Sequence, residues 1–209
     1  MNWMDMSLRD FQAALASSSP TPGGGTAAAV ALGQAASLSI MVCDLTLSNE
    51  KWQAGWDIAE RVQHCAIPLL NRAGMLATED SNAFDEVMAS FRLPKTTEAE
   101  QYARRKTIHA ATLQAATVPF LTAQHAIELL QLLPELASHG NANAVSDVGV
   151  AGLLASAAAK GAMFNVEINM DSLPSDVGTD LREAIPSMKE AMKLASREVM
   201  EAVRQRMSS

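Results

Sequence analysis

The chain has 209 residues, 4% aromatic residues, two cysteines and a formal net charge of -7. That length buries a core without disulfides or a structural metal, and scarce aromatics beside abundant alanine favour close-packed helices over sheets. The acidic balance, with no stripe of Lys or Arg, excludes a nucleic-acid surface.

The first residues, Met1 to Met6, lack the basic and apolar segments of a secretory signal, so a cytoplasmic location is expected. Ser7 is placed to cap a short helix carrying Leu8, Phe11, Ala14 and Leu15 at helical spacing, which Pro20 and Pro22 bring to an end. From Thr26 to about Leu47 the sequence is almost all small and apolar. Gln34, Ser37, Ser39 and Asp44 interrupt it and no aromatic belt flanks it, which argues for a bundle core or subunit contact and against a membrane span.

A third helix is expected from about Trp52 to Phe91, with Pro68 kinking or breaking it. Thr97 and Glu100 form a capping-box pattern for a fourth helix, which passes Pro119 and ends near Pro134, with a kink expected at the internal proline. A second small-residue helix follows from about Ala144 to Ala162. The alternating passage Asn165 to Met170 reads as helix end and loop, and an amphipathic last helix runs from about Asp176 to Arg206. No linker or fixed repeat divides residues 1–209, so a single domain is expected. The expected fold is all-α: a bundle of about five or six long, partly kinked helices, oligomerising through its small-residue helices.

Cys43 and Cys65 match no CxxC motif and read as reduced core thiols. No two of the four histidines stand three or four residues apart, so no metal site is expected.

Three passages carry polar chemistry. Pro22-Gly23-Gly24-Gly25-Thr26 opens a helix, where free backbone N–H groups and the helix dipole suit an anion; a plain proline stop with a flexible start is the alternative. Asn141, Asn143, Ser146 and Asp147 gather amide, hydroxyl and carboxylate groups at another loop-to-helix junction, where ordinary capping is the alternative. Asp80, in an otherwise apolar stretch, matters if its carboxylate faces inward. Lys95, behind Pro94 in an interhelical turn, is either merely exposed or a cation for an anionic ligand.

Together these passages resemble the cyclodeaminase/methenyltetrahydrofolate cyclohydrolase family, the helical half of formiminotransferase-cyclodeaminase and its stand-alone bacterial relatives. The matching residues are 19 to 25, Met41-Val42 with Leu45-Thr46, Asp80 with Ala83-Phe84, Val87-Met88, Leu93-Pro94-Lys95, and Gly140-Asn141 with Asn143 to Val150. Asn165-Val166 and Ile168-Asn169 extend the match, and Asn165 joins the substrate-binding candidates. The family continues after Leu45-Thr46 with Gly-Lys, whereas this chain has Leu47-Ser48-Asn49 and then Lys51 and Trp52, so that Lys51 stands in with a shifted reach or that function is lost.

The resemblance implies a homodimer or higher homo-oligomer with a folate cleft near the subunit interface. It implies hydrolysis of 5,10-methenyltetrahydrofolate to 10-formyltetrahydrofolate, or cyclisation of 5-formiminotetrahydrofolate with loss of ammonia. The stand-alone chain tilts the expectation toward the first. The expected substrate is a tetrahydrofolate derivative, with no prosthetic group. The methenyl bridge is a cationic carbon, so water attack calls for a base and a nearby carboxylate. Asp147 is the leading candidate, with Ser146 and Asp80 beside it. Pro22, Gly23, Gly24, Gly25, Thr26, Lys95, Asn141, Asn143 and Asn165 are the expected substrate contacts. A non-catalytic helical oligomer that binds a folate or another small anion is the alternative.

Overall fold

The computed structural model describes residues 2–208, in which six α-helices and three 3-10 turns occur and no strand. The helices are α1 (Leu8–Leu15), α2 (Gly24–Leu47), α3 (Trp56–Phe91), α4 (Glu98–His139), α5 (Val145–Asp171) and α6 (Thr179–Met207). Ser7 caps α1 through its hydroxyl, and Thr97 and Glu100 form the expected capping box on α4.

The centre of the bundle is the antiparallel pair α2 and α5. Ala28 of α2 sits beside Gly161 of α5, and Leu45-Thr46 sits beside Asn141. Ala29, Ala35, Ala36, Ala155, Ala158, Ala159 and Ala162 are buried, and such small side chains let the two backbones approach closely. Both helices are long and apolar enough to cross a membrane, with mean hydropathy 1.6 and 1.3, yet 56% of each apolar stretch is buried within the bundle. α3 packs antiparallel on α2, α4 covers α3 and α5, and α6 lies against α4 and α5.

Three expectations change. Pro68 does not break α3, and α4 continues past Pro134 to His139, each internal proline, Pro119 included, costing its helix a backbone donor. The third helix starts later than expected, because Asn49 caps a 3-10 turn at Glu50–Gly55 and Trp52 leaves helical geometry there. Most consequentially, Asn165 to Met170 is helix. Met163, Val166 and Met170 are buried at helical spacing, which places Asn165 and Asn169 one turn apart on a shared face.

Arg182 of α6 secures this extension by donating to the carbonyls of Met170 and Leu173, at 2.6 and 3.0 Å. The intervening turn needs Gly178, whose φ is +68° and whose added Cβ would stand 2.7 Å from Met170 Cε and 2.8 Å from Leu113 Cδ1. Gly178→Ala combines left-handed strain with overpacking and should cost about 1–3 kcal/mol in a denaturant melt.

Candidate functional site

The α2 helix starts at a glycine turn that follows Pro22, and the Thr21-Pro22 bond is cis. Gly23, at the N-cap, offers no side-chain cap of its own to the first-turn N–H groups of α2. Asp80 comes up from α3 to meet this turn. It continues the inward stripe of Ala73, Leu76 and Ala77, and Ala83 buries one turn later.

Thr26 Oγ1 donates to Asp80 Oδ2 at 3.0 Å, and Thr26 itself is buried. Burial pushes the Asp80 carboxyl above its ordinary value of 3.8, while the Thr26 hydroxyl and backbone N–H pull it back down. Gly25 is glycine because Asp80 leaves no room. An added Cβ would lie 2.7 Å from both Cγ and Oδ2, and nearer still to Oδ1. Gly24, by contrast, has open space beside it.

Asp80, Gly23, Gly24 and Gly25 line a cavity of about 220 Å³ with Pro20, Thr21, Phe84, Val87, Ala115, Asn165 and Asn169, and buried Thr26 stands behind it. Asn165 Nδ2 donates to the Gly161 carbonyl and Asn169 Nδ2 to the Ala115 carbonyl, both at 2.9 Å. Each amide therefore keeps its oxygen as an acceptor. The wall thus combines a carboxylate and two amide oxygens with the N–H groups of a helix start. Pockets for drug-sized ligands hold about 300–1,000 Å³, so a larger substrate would extend out of this one.

The polar junction at the start of α5 lies elsewhere. Asp147 and Asn165 are separated by about 27 Å along α5 at 1.5 Å per residue. Asn141 is engaged in structure: its amide donates to the Leu45 carbonyl, its Oδ1 accepts from Asn143 N, and its backbone N–H donates to Thr46 Oγ1. Trp56 Nε1 donates to the Thr46 carbonyl, so Leu45-Thr46 ties together the ends of α2, α3 and α4. Asn143 and Ser146 are exposed and Asp147 is half-buried.

Lys95 is exposed and shares a separate depression with Gln101, Arg104 and Arg105. Lys51 lies over the Trp52 ring, 4.7 Å from its centroid, at the α2 end remote from Asp80. Among the described residues, no group of three His, Cys, Asp or Glu side chains is placed to hold a metal. Burial raises the Cys43 thiol to about 12, with Asp44 adding to the effect.

The structure thus brings Gly23, Gly24, Gly25, Asp80 and Asn165 to one cavity, buries Pro22 and Thr26 outside its lining, and leaves Asn141, Asn143, Ser146, Asp147 and Lys95 away from the cavity of the same chain. Sequence reasoning missed Asn169 and Phe84 as lining residues. The spacing of Asn165 and Asn169, one helical turn, was the available signal.

Fold and cavity together define an all-α bundle with a polar-lined cavity between its helices. The family model for formiminotransferase-cyclodeaminase matches residues 7–187. A methenyltetrahydrofolate cyclohydrolase of Methylorubrum extorquens is 38% identical over 79% of this chain and 80% of that protein. A formimidoyltransferase-cyclodeaminase of Rattus norvegicus is 32% identical over 83% of this chain, which spans 32% of that longer relative. Among solved structures, the formiminotetrahydrofolate cyclodeaminase of Thermotoga maritima superposes with a TM-score of 0.85 at 25% identity, covering 97% of this chain and 98% of that one. The chain belongs to the formiminotransferase-cyclodeaminase family.

Proposed function

We propose that the protein is a cytoplasmic methenyltetrahydrofolate cyclohydrolase, acting as one helical domain within a homodimer. The observation that carries the reading is the Asp80 carboxylate, held in the cavity between the α2 start and the two asparagines of α5. The similarity to the Methylorubrum extorquens enzyme over most of both chains supports this specificity.

The substrate's methenyl bridge is a cationic carbon between two nitrogens. A carboxylate beside it favours that charge and can accept a proton from attacking water. Water adds to the bridge carbon, its proton passes to a carboxylate, and the bond from carbon to N5 breaks. N5 takes up a proton, the formyl group stays on N10, and one proton is released overall. The oxygens of Asn165 and Asn169 suit the N–H edge of the pterin, and the N–H groups at Gly24 and Gly25 suit its carbonyl. Cyclisation of the formimino compound uses the same bridge carbon with ammonia leaving. The whole-chain likeness to the Thermotoga maritima cyclodeaminase favours it as the second reading.

The dimer reading follows from α5. Leu153, Val150 and Ser146 lie four, seven and eleven residues before Ala157, and Gly161, Phe164 and Ile168 lie at the same distances after it. These positions form one helical face on which Val150, Leu153, Phe164 and Ile168 are exposed, and Met41 and Leu45 of the adjoining α2 are exposed as well. Such a stripe, symmetric about its midpoint, suits an antiparallel contact with a second copy across a two-fold axis. That contact would set Ser146 and Asp147 of each subunit against the Asn165 end of the other, giving Asp147 and Asn143 access to the cavity that Asp80 lines.

Loss of methenyltetrahydrofolate absorbance, measured beside ammonia release from the formimino compound, tests the reaction. The first signal is expected. Ammonia release alone would move the protein to the second reading, and silence in both with folded protein would leave a non-catalytic folate-binding oligomer. The shared site is tested by mixing inactive Asp80→Asn and Asp147→Asn subunits. Heterodimers would carry one intact site, so random exchange should restore about a quarter of wild-type activity. Failure to complement in exchanged dimers would return both carboxylates to one subunit.

A further inference from the structure

Trp3 lies in the 3-10 turn Trp3–Asp5, before α1, and its ring packs edge-on against Phe11 with centroids 6.5 Å apart. Its Nε1 donates to Ser81 Oγ at 2.9 Å, beneath the candidate site. Ser81 is buried, and its hydroxyl stands 3.0 Å from Thr26 Oγ1, the same oxygen that donates to Asp80.

The direction of this chain follows from its two ends. An indole N–H only donates, so Ser81 accepts from Trp3 and keeps its own proton for Thr26. A carboxylate only accepts, so the Thr26 proton goes to Asp80. All three protons therefore point toward the carboxylate.

We propose that Trp3 and Ser81 are positioning residues for the reaction, forming with Thr26 a one-way series of donors that keeps the Asp80 carboxylate ionised and aimed into the cavity. The proposal rests on the assignment of Asp80 to the site.

The surroundings give the series its importance. Around Asp80 the cavity is lined by Pro20, Thr21 and Gly23 to Gly25 before and at the α2 start, Ala115 of α4, and Asn165 and Asn169 of α5, while Phe84 and Val87 of α3 complete it. Among the described residues lining the cavity, Asp80 is thus the one charged side chain. Its neighbour Glu79 is engaged with Arg72 at 2.7 Å. Among the described residues lining the cavity no cation offsets the desolvation of Asp80, and that task falls to Thr26 and to the donors that polarise it.

Trp3→Phe keeps a ring against Phe11 and removes the donor, whereas Ser81→Ala breaks the series midway with little change in volume. Each should lower kcat by about 10-fold with KM unchanged, as expected for a lost contribution to a charged acceptor. The acidic limb of the kcat profile should move to higher pH by about half a pH unit, because the ionised carboxylate loses support. Ser81→Thr, which keeps the hydroxyl, should restore both values, and the double variant Trp3→Phe/Ser81→Ala should add little to either single one.

Wild-type kcat and an unmoved acidic limb in folded Ser81→Ala would overturn the proposal, as would a loss of thermal stability with no change in the profile. Should Trp3→Phe fail to fold, Ser81→Ala and Ser81→Thr decide it alone. If Asp80→Asn turns over normally, it is the site assignment that fails; an inactive Asp80→Asn beside unaffected Ser81→Ala refutes the donor series alone.

Discussion

Asp80→Asn should lower turnover by at least about 100-fold, the lower range for a lost acid–base group, while making the folded protein more stable at neutral pH. Asn keeps the size of the side chain and an oxygen for the Thr26 hydroxyl but removes the buried charge. Burial holds the folded carboxyl above its ordinary 3.8, so its ionisation opposes folding. The sign follows. Below pH 3.8 both states of the wild type are protonated and the destabilising term is absent. As pH rises toward the folded value, the unfolded chain ionises first and wild-type stability falls relative to the variant. Above the folded value the difference is constant. Each kcal/mol of it appears as about 2–4 °C in Tm for a chain of this size. Thermal melts at acid and neutral pH, run beside single-turnover kinetics, check both halves. A variant that is no more stable than wild type at neutral pH would remove the desolvation argument, and an active one would remove Asp80 from the chemistry.

The glycine turn separates placement of the carboxylate from contact with ligand. Gly25→Ala puts a Cβ where the Asp80 carboxylate already stands, so the side chain must swing away and release Thr26. Misplacing a catalytic group by about 1 Å costs on the order of 100-fold, and kcat should fall by that much even at saturating substrate. The accompanying overpacking should cost about 1–3 kcal/mol of stability. Gly24→Ala meets open space, so its stability should match wild type. Its effect should appear as a raised KM if substrate approaches the backbone there. Measuring kcat and KM for the pair distinguishes the two roles. Equal kcat losses in both variants would mean that the turn acts as a unit.

Helix positions and caps were legible in the sequence because they depend on neighbours within about one turn. Ser7, Thr97 with Glu100, and the small-residue runs of α2 and α5 all behave as local chemistry requires. The passage Asn165 to Met170 was misread for the same reason. Its local alternation favours neither state strongly, and burial of Val166 and Met170 together with the Arg182 donors selects helix.

The glycine turn and Asp80 were each visible as candidates, but 54 residues separate Thr26 from Asp80 and no local pattern pairs them. Their meeting depends on antiparallel packing of α2 on α3. The same packing sends Asp147 to the far end of α5 and makes Asn141 a structural tie. Composition, caps and periodicity are properties of one chain segment, and the sequence determined those by itself. Which carboxylate is desolvated, which glycine is crowded and which polar groups share a cavity are properties of packed surfaces, and only the tertiary structure decided them.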